Sequence, residues 1–239
     1  MKKYREAINK LAEALSLNSG NTTAYDIKGL ALMKFGRYQE AVECFDKALG
    51  IDPNLASVWM NRGNALDDSR KYEEALVSYR KALEINPNDA LVWNNLGVCF
   101  YNLGNHHESI KCYDKALEIR YDKSLKMDAS EEHLLDIEAH TWFLKGNSLL
   151  RLGNYDDAKD CYDQKLKINF ADADTWLNKG ICYHNLGDYK EAIKSYNKAL
   201  EIDPSLARAW HAKGLALDKL GIGNAQKYFD KAKELGFEI

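Results

Sequence analysis

The side chains best able to do covalent or metal chemistry are five cysteines and six histidines. Five is odd, and no two cysteines form a Cys-x-x-Cys pair, which reads as a chain of a reducing, cytoplasmic compartment. The histidines show no His-Glu-x-x-His and no other ligand spacing, so no metal site is expected. Gly221-Ile222-Gly223 lacks the preceding strand and the third glycine of a dinucleotide loop. Asn21-Thr22-Thr23 has the form of a glycosylation sequon, but in a cytoplasmic chain it serves as a turn. No nucleophile stands beside a base in the sequence. The expectation is a protein with no catalytic residue and no cofactor, not an enzyme.

The elements that position these residues follow from a repeat. Trp59, Gly63, Tyr72, Ala75, Tyr79, Ala82 and Pro87 are followed 34 positions later by Trp93, Gly97, His106, Ser109, Tyr113 and Ala116. They are preceded 34 positions earlier by Tyr25, Gly29, Tyr38, Ala41, Phe45, Ala48 and Pro53. A period of this size means stacked supersecondary units. Spacings of three and four between apolar residues mark helices. Each unit reads as helix A, a turn, helix B and a link; in the second unit helix A covers about 56–69 and helix B about 72–85. Gly36 and Gly104 supply the left-handed residue of the A–B turn. Cys44, Cys112 and Cys161 occupy the slot held by Ser78 and Ser195 in other units, and Cys99 and Cys182 share a second slot. These are packing positions for a small side chain.

The expected organisation is a half repeat at 1–21 (helix B only), repeats at 22–55, 56–89 and 90–123, an insertion at 124–138, and repeats at 139–172, 173–206 and 207–239. The insertion is read from the 49 residues between Trp93 and Trp142. Ser130 is the expected N-cap of a helix A that starts early, near Glu131. The opening half repeat implies a lone helix or a longer parent chain. The last A–B turn is one residue short, with helix B at about 224–235 and Gly236 just past its end. A net charge of −3 leaves no basic footprint for nucleic acid. No run approaches the ~20 apolar residues of a membrane span.

Trp176, Gly180, Tyr183, Tyr189, Ala192, Tyr196, Ala199 and Pro204 fall at the eight signature positions of the tetratricopeptide repeat, and the chain closely resembles that family outside 124–138. Departures are a cation in place of leucine at position 7 (Lys28, Arg62, Lys145, Lys179, Lys213), no proline at Tyr121 and Phe170, and Lys165 in an alanine slot. The resemblance implies an all-α, right-handed superhelical α-solenoid of stacked helix-turn-helix repeats. It also implies a concave groove lined by helix A at positions 2, 5, 6, 9, 12 and 13 of each repeat. There the chain offers Asn61, Asn64, Asn95, Asn147 and Asn178, a ladder able to pair with a peptide backbone whatever its side chains. Asn147, Asn178 and Arg208 match part of the family's carboxylate clamp, but Phe143 and Ala212 replace two of its cations, so a full clamp is not expected. Tyr101 and Phe143 flank the insertion and are candidate anchors for an apolar side chain, or else pack on the inserted turn.

The functional expectation is a protein–protein interaction scaffold that binds a peptide or helix of a partner in this groove. The alternative is a self-assembling module, a homo-oligomer formed by end-to-end stacking or helix swapping. Gln226, Lys227, Asp230, Lys231 and Lys233 on the last helix argue for a solvated end instead.

Overall fold

A computed structural model describes residues 2–121 and 131–238. Among them are thirteen helices and no strand: α1 (Lys2–Leu17), α2 (Thr22–Met33), α3 (Tyr38–Ile51), α4 (Ala56–Asp68), α5 (Tyr72–Ile85), α6 (Ala90–Asn102), α7 (His106–Tyr121), α8 (Glu131–Arg151), α9 (Tyr155–Ile168), α10 (Ala173–Asn185), α11 (Tyr189–Ile202), α12 (Ala207–Leu220) and α13 (Gln226–Glu234). The chain divides into two compact modules, residues 1–125 and 126–239. The first holds three consecutive helix pairs, α2/α3, α4/α5 and α6/α7, with α1 packed on α2. The second holds α8/α9, α10/α11 and α12/α13. Residues 124–130 of the inserted segment, including the expected cap Ser130, lie outside the described residues. The 21-residue α8 begins at Glu131, well before its signature residue Trp142.

Inside each module the stack has an inner and an outer side. Helices A of consecutive repeats touch directly: α2 with α4 and α4 with α6, then α8 with α10 and α10 with α12. Helices B of consecutive repeats make no such contact among the described residues. Stacked pairs whose A helices approach more closely than their B helices bend toward A, so helix A lines the concave face within each module.

The core is a repeated ring-on-glycine contact. Tyr79 and Tyr196 are 1% exposed, and Phe45, Tyr113 and Tyr162 are fully buried. Each ring packs directly on the helix-A glycine of its own repeat. A Cβ built on Gly63 would stand 2.5 Å from Cε1 of Tyr79, and Gly29, Gly97 and Gly146 meet Phe45, Tyr113 and Tyr162 in the same way. Glycine is therefore required by the aromatic ring. Burying one such ring contributes roughly 1.5–3 kcal/mol.

The links are sealed by tryptophan. Nε1 of Trp59, Trp93, Trp176 and Trp210 donates to the carbonyl of Pro53, Pro87, Phe170 and Pro204, each six residues earlier, at 2.9–3.0 Å. The acceptor is a main-chain oxygen, so Phe170 serves as well as proline. The A–B turns need a left-handed residue, and Gly36, Gly104, Gly153, Gly187 and Gly221 supply it. In the second repeat Arg70 takes that place with φ 62°, a conformation that costs an L-residue roughly 1–2 kcal/mol.

Candidate functional site

The unusual cations at position 7 belong to the frame. Arg62 Nε bonds Asp46 at 2.7 Å, and its Nη1 donates to Ser78. Lys179 bonds Asp163 with the same sixteen-residue spacing. Arg62, Lys145, Lys179 and Lys213 also sit over the ring of the tryptophan three residues before each. In the third repeat position 7 is Leu96 and the residue sixteen before it is Arg80, so this repeat carries no such pair. The readable signal was the Asp–cation spacing, which single positions do not reveal.

The asparagines fall into two matching brackets, one per module. In the first, Asn64 Oδ1 accepts from the buried Tyr79 hydroxyl at 2.9 Å and from Asn95 Nδ2 at 3.0 Å. In the second, Asn147 Oδ1 accepts from the Tyr162 hydroxyl at 2.8 Å and from Asn178 Nδ2 at 3.0 Å. The partners are 31 residues apart, one repeat minus one helical turn, which places position 6 of a repeat beside position 9 of the one before. Both brackets lie on α4/α6 and α8/α10, the A helices. With Oδ1 saturated by two donors, the carboxamide of Asn64 is fixed in orientation and turns its NH₂ away from the tyrosine. Asn61, 8% exposed, instead donates Nδ2 to Asp26 Oδ1 at 2.9 Å.

The remaining expected residues are dispersed. Arg208 is exposed and ion-paired with Asp174 at 2.8 Å, one repeat away. Tyr101 packs against His106 with ring centroids 5.1 Å apart and the planes tilted by 57°. Phe143 lies 6.1 Å from the Tyr162 ring, and Lys165 Nζ sits 4.2 Å over its face. Lys165 fills the slot normally held by alanine, is buried, and reaches Asp172 at 2.7 Å. Asp172 caps α10 with its other oxygen. Burial pushes that carboxyl up, but the hydrogen bonds from Lys165 and Thr175 outweigh it and hold it below the usual range.

The A-helix face of the first module also carries a pair of acids at groove positions. Asp67 and Asp68 are the last two residues of α4, where the helix dipole disfavours negative charge. The Asp67 carboxyl is pushed up by burial and by the charge of Asp68, against a hydrogen bond from Asn102. Its Oδ1 is buried with no partner, as is Oδ1 of Asn94 on α6. In the second module a cleft of about 620 Å³ opens beside α12 and α13, where His211 stacks on Phe237 at 4.5 Å. The five cysteines are buried and form no disulfide. Burial drives the thiols of Cys99, Cys112 and Cys182 up to about 12, which makes them inert. No cluster of metal-ligating side chains occurs among the described residues, and none of their helices is long and apolar enough to cross a membrane.

Tetratricopeptide repeat models match residues 56–89, 90–120 and 173–206. A second model of the same repeat matches 139–171, and a TPR repeat model matches 29–67. The chain belongs to the tetratricopeptide repeat family. A comparison with curated proteins gave no match. Several solved tetratricopeptide-type structures share the fold. PilW, described as a widely conserved type IV pilus biogenesis factor, aligns with a TM-score of 0.72 at 20% identity, over 90% of this chain and 91% of its own. YrrB, described as a TPR protein with an unusual peptide-binding site, aligns with a TM-score of 0.64 at 23% identity, over 82% and 93%. MamA from Desulfovibrio magneticus RS-1 gives 0.66 at 21% identity, over 75% and 94%. At such identities the likeness concerns architecture.

Proposed function

We propose that this tetratricopeptide repeat chain is a non-catalytic interaction scaffold that holds an extended segment of a partner protein against the A helices. The observation that carries this reading is the pair of asparagine brackets. Each presents a fixed donor, the NH₂ of Asn64 or Asn147, next to an acceptor, Oδ1 of Asn95 or Asn178. That donor and acceptor match the C=O and N–H of one peptide unit. Because Tyr79 and Tyr162 lock the inner carboxamides beforehand, little side-chain entropy is lost on binding. Asn61, tied to Asp26, supports the face of the first module, to which Tyr101 also belongs; Phe143 and Arg208 belong to the second module. Inert buried thiols suit a reducing, cytoplasmic setting.

Alanine at Asn95 and Asn178 tests the reading. These residues only donate to their inner partners, so the double variant leaves both tyrosine hydroxyls bonded and keeps the thermal midpoint close to that of the parent. Recovery of partners from an extract should fall. Unchanged recovery by a folded variant would remove the brackets from the account.

A further inference from the structure

Several carboxylates elsewhere in the described chain are matched by a cation. Asp46 has Arg62, Asp163 has Lys179, Asp172 has Lys165 and Asp174 has Arg208. The A-helix face of the first module holds no such pair. Asp26, Asp67 and Asp68 form no ion pair among the described residues; Asp26 is met only by the Asn61 carboxamide. Lys34, the single cation at the groove positions of α2, α4 and α6, acts on Asp68 from a distance without bonding it. The acids are concentrated at the negative end of α4, and one oxygen of Asp67 is buried with its hydrogen-bonding capacity unused. Such an arrangement stores unfavourable electrostatics that a ligand cation would relieve.

The same A helices also expose aliphatic side chains. Ile27 and Leu30 occupy the positions that carry Asn61 and Asn64 one repeat later, and they are 49% and 40% exposed; Leu91 on α6 is 40% exposed. We propose that this face takes a partner segment bearing a lysine or arginine flanked by aliphatic side chains. The cation sits on Asp67 and Asp68, and the aliphatic groups lie on Ile27, Leu30 and Leu91. This deepens the groove reading above and rests on it. The occupant follows from charge complementarity: the face offers three unmatched carboxylates and exposed aliphatic surface, and a basic, aliphatic strand supplies the complement of both. A desolvated ammonium or guanidinium on paired carboxylates gives charge-assisted hydrogen bonds that a neutral peptide cannot make.

The test is selection of random extended peptides displayed on phage against the full chain, followed by affinity measurements on Asp67→Asn/Asp68→Asn and on Asn95→Ala. Both variants keep the fold, since the first removes a like-charge contact. The expected result is enrichment of Lys or Arg beside Leu, Ile or Val. Affinity should fall about tenfold in the Asp67→Asn/Asp68→Asn variant and decline with added salt. Peptides that depend on Asn95 but show no basic enrichment, or bind Asp67→Asn/Asp68→Asn equally, overturn this inference and leave the groove reading standing. No retained peptide at all overturns both. Concentration-dependent self-association abolished by Asp67→Asn/Asp68→Asn would assign the face to a second copy of the chain and overturn the peptide partner.

Discussion

The two modules share one frame and differ in the charge they set on it. Each has a tyrosine-locked asparagine bracket, glycines under aromatic rings and indole-sealed links. On the groove positions the first module carries Asp26, Asp67 and Asp68 against Lys34. The second carries Arg151, Arg208 and Lys219 against Asp174 and Asp218, with His140, His184 and His211 among them. Among these groove residues the one ion pair seen is Asp174 with Arg208, in the second module. The lesson is that what builds the repeat and what gives it specificity are separable: the bracket reads a backbone, and the positions around it choose the side chains.

The equivalence of the brackets breaks most sharply at their buried tyrosines. Tyr79→Ala and Tyr162→Ala should each cost about 3–5 kcal/mol in urea unfolding, since each ring is almost wholly buried against a glycine. Clearly unequal losses would show that the two brackets are not the same device. Trp93, only half-buried, should cost less than either when changed to alanine. Lys165→Ala restores the usual repeat residue yet should destabilise by about 1–3 kcal/mol, because it strands the partly buried Asp172. The sign in pH follows from the lowered Asp172 carboxyl. Its contribution is present above the ordinary value near 3.8 and lost as pH falls through the depressed value, so parent and variant should converge in acid.

Asp67→Asn should do the opposite in the other module. A raised carboxyl penalises the fold above its own pKa and stops doing so below about 3.8, so the variant should be more stable at neutral pH by up to ~1 kcal/mol, the gain vanishing in acid. A loss of stability at neutral pH would mean the acids serve the frame and not a ligand. Arg208→Ala should change stability by no more than about 0.5 kcal/mol, as its pair with Asp174 is exposed on both sides.

The fold was largely legible because its determinants recur in the sequence. Trp, Gly, Tyr and Ala return at fixed intervals, and α5 begins and ends where the period places it, at Tyr72 and Ile85. The last helix is shorter than its spacing suggests, Gln226–Glu234, since the tightened turn at Gly221–Gly223 consumes its first residues. The site was legible only as positions. Asn64 and Asn95 read as separate rungs, and their mutual bond needs the stagger of one helical turn between repeats. The charge of Asp67 is visible in the sequence, but the missing partner of its oxygen is a property of three dimensions. Arg70, in a slot otherwise held by glycine, gives no local sign that it must adopt a left-handed backbone.

The indole bond to a carbonyl six residues back has a consequence for how such a chain can change length. Trp59, Trp93, Trp176 and Trp210 ask nothing of the side chain that precedes them, only a peptide oxygen at the right place. A splice made just after that oxygen joins any repeat to any other through the same junction. Whole cassettes can then be duplicated or dropped in the gene without a compensating change on either side, while a cut in mid-repeat would part a tyrosine from its glycine.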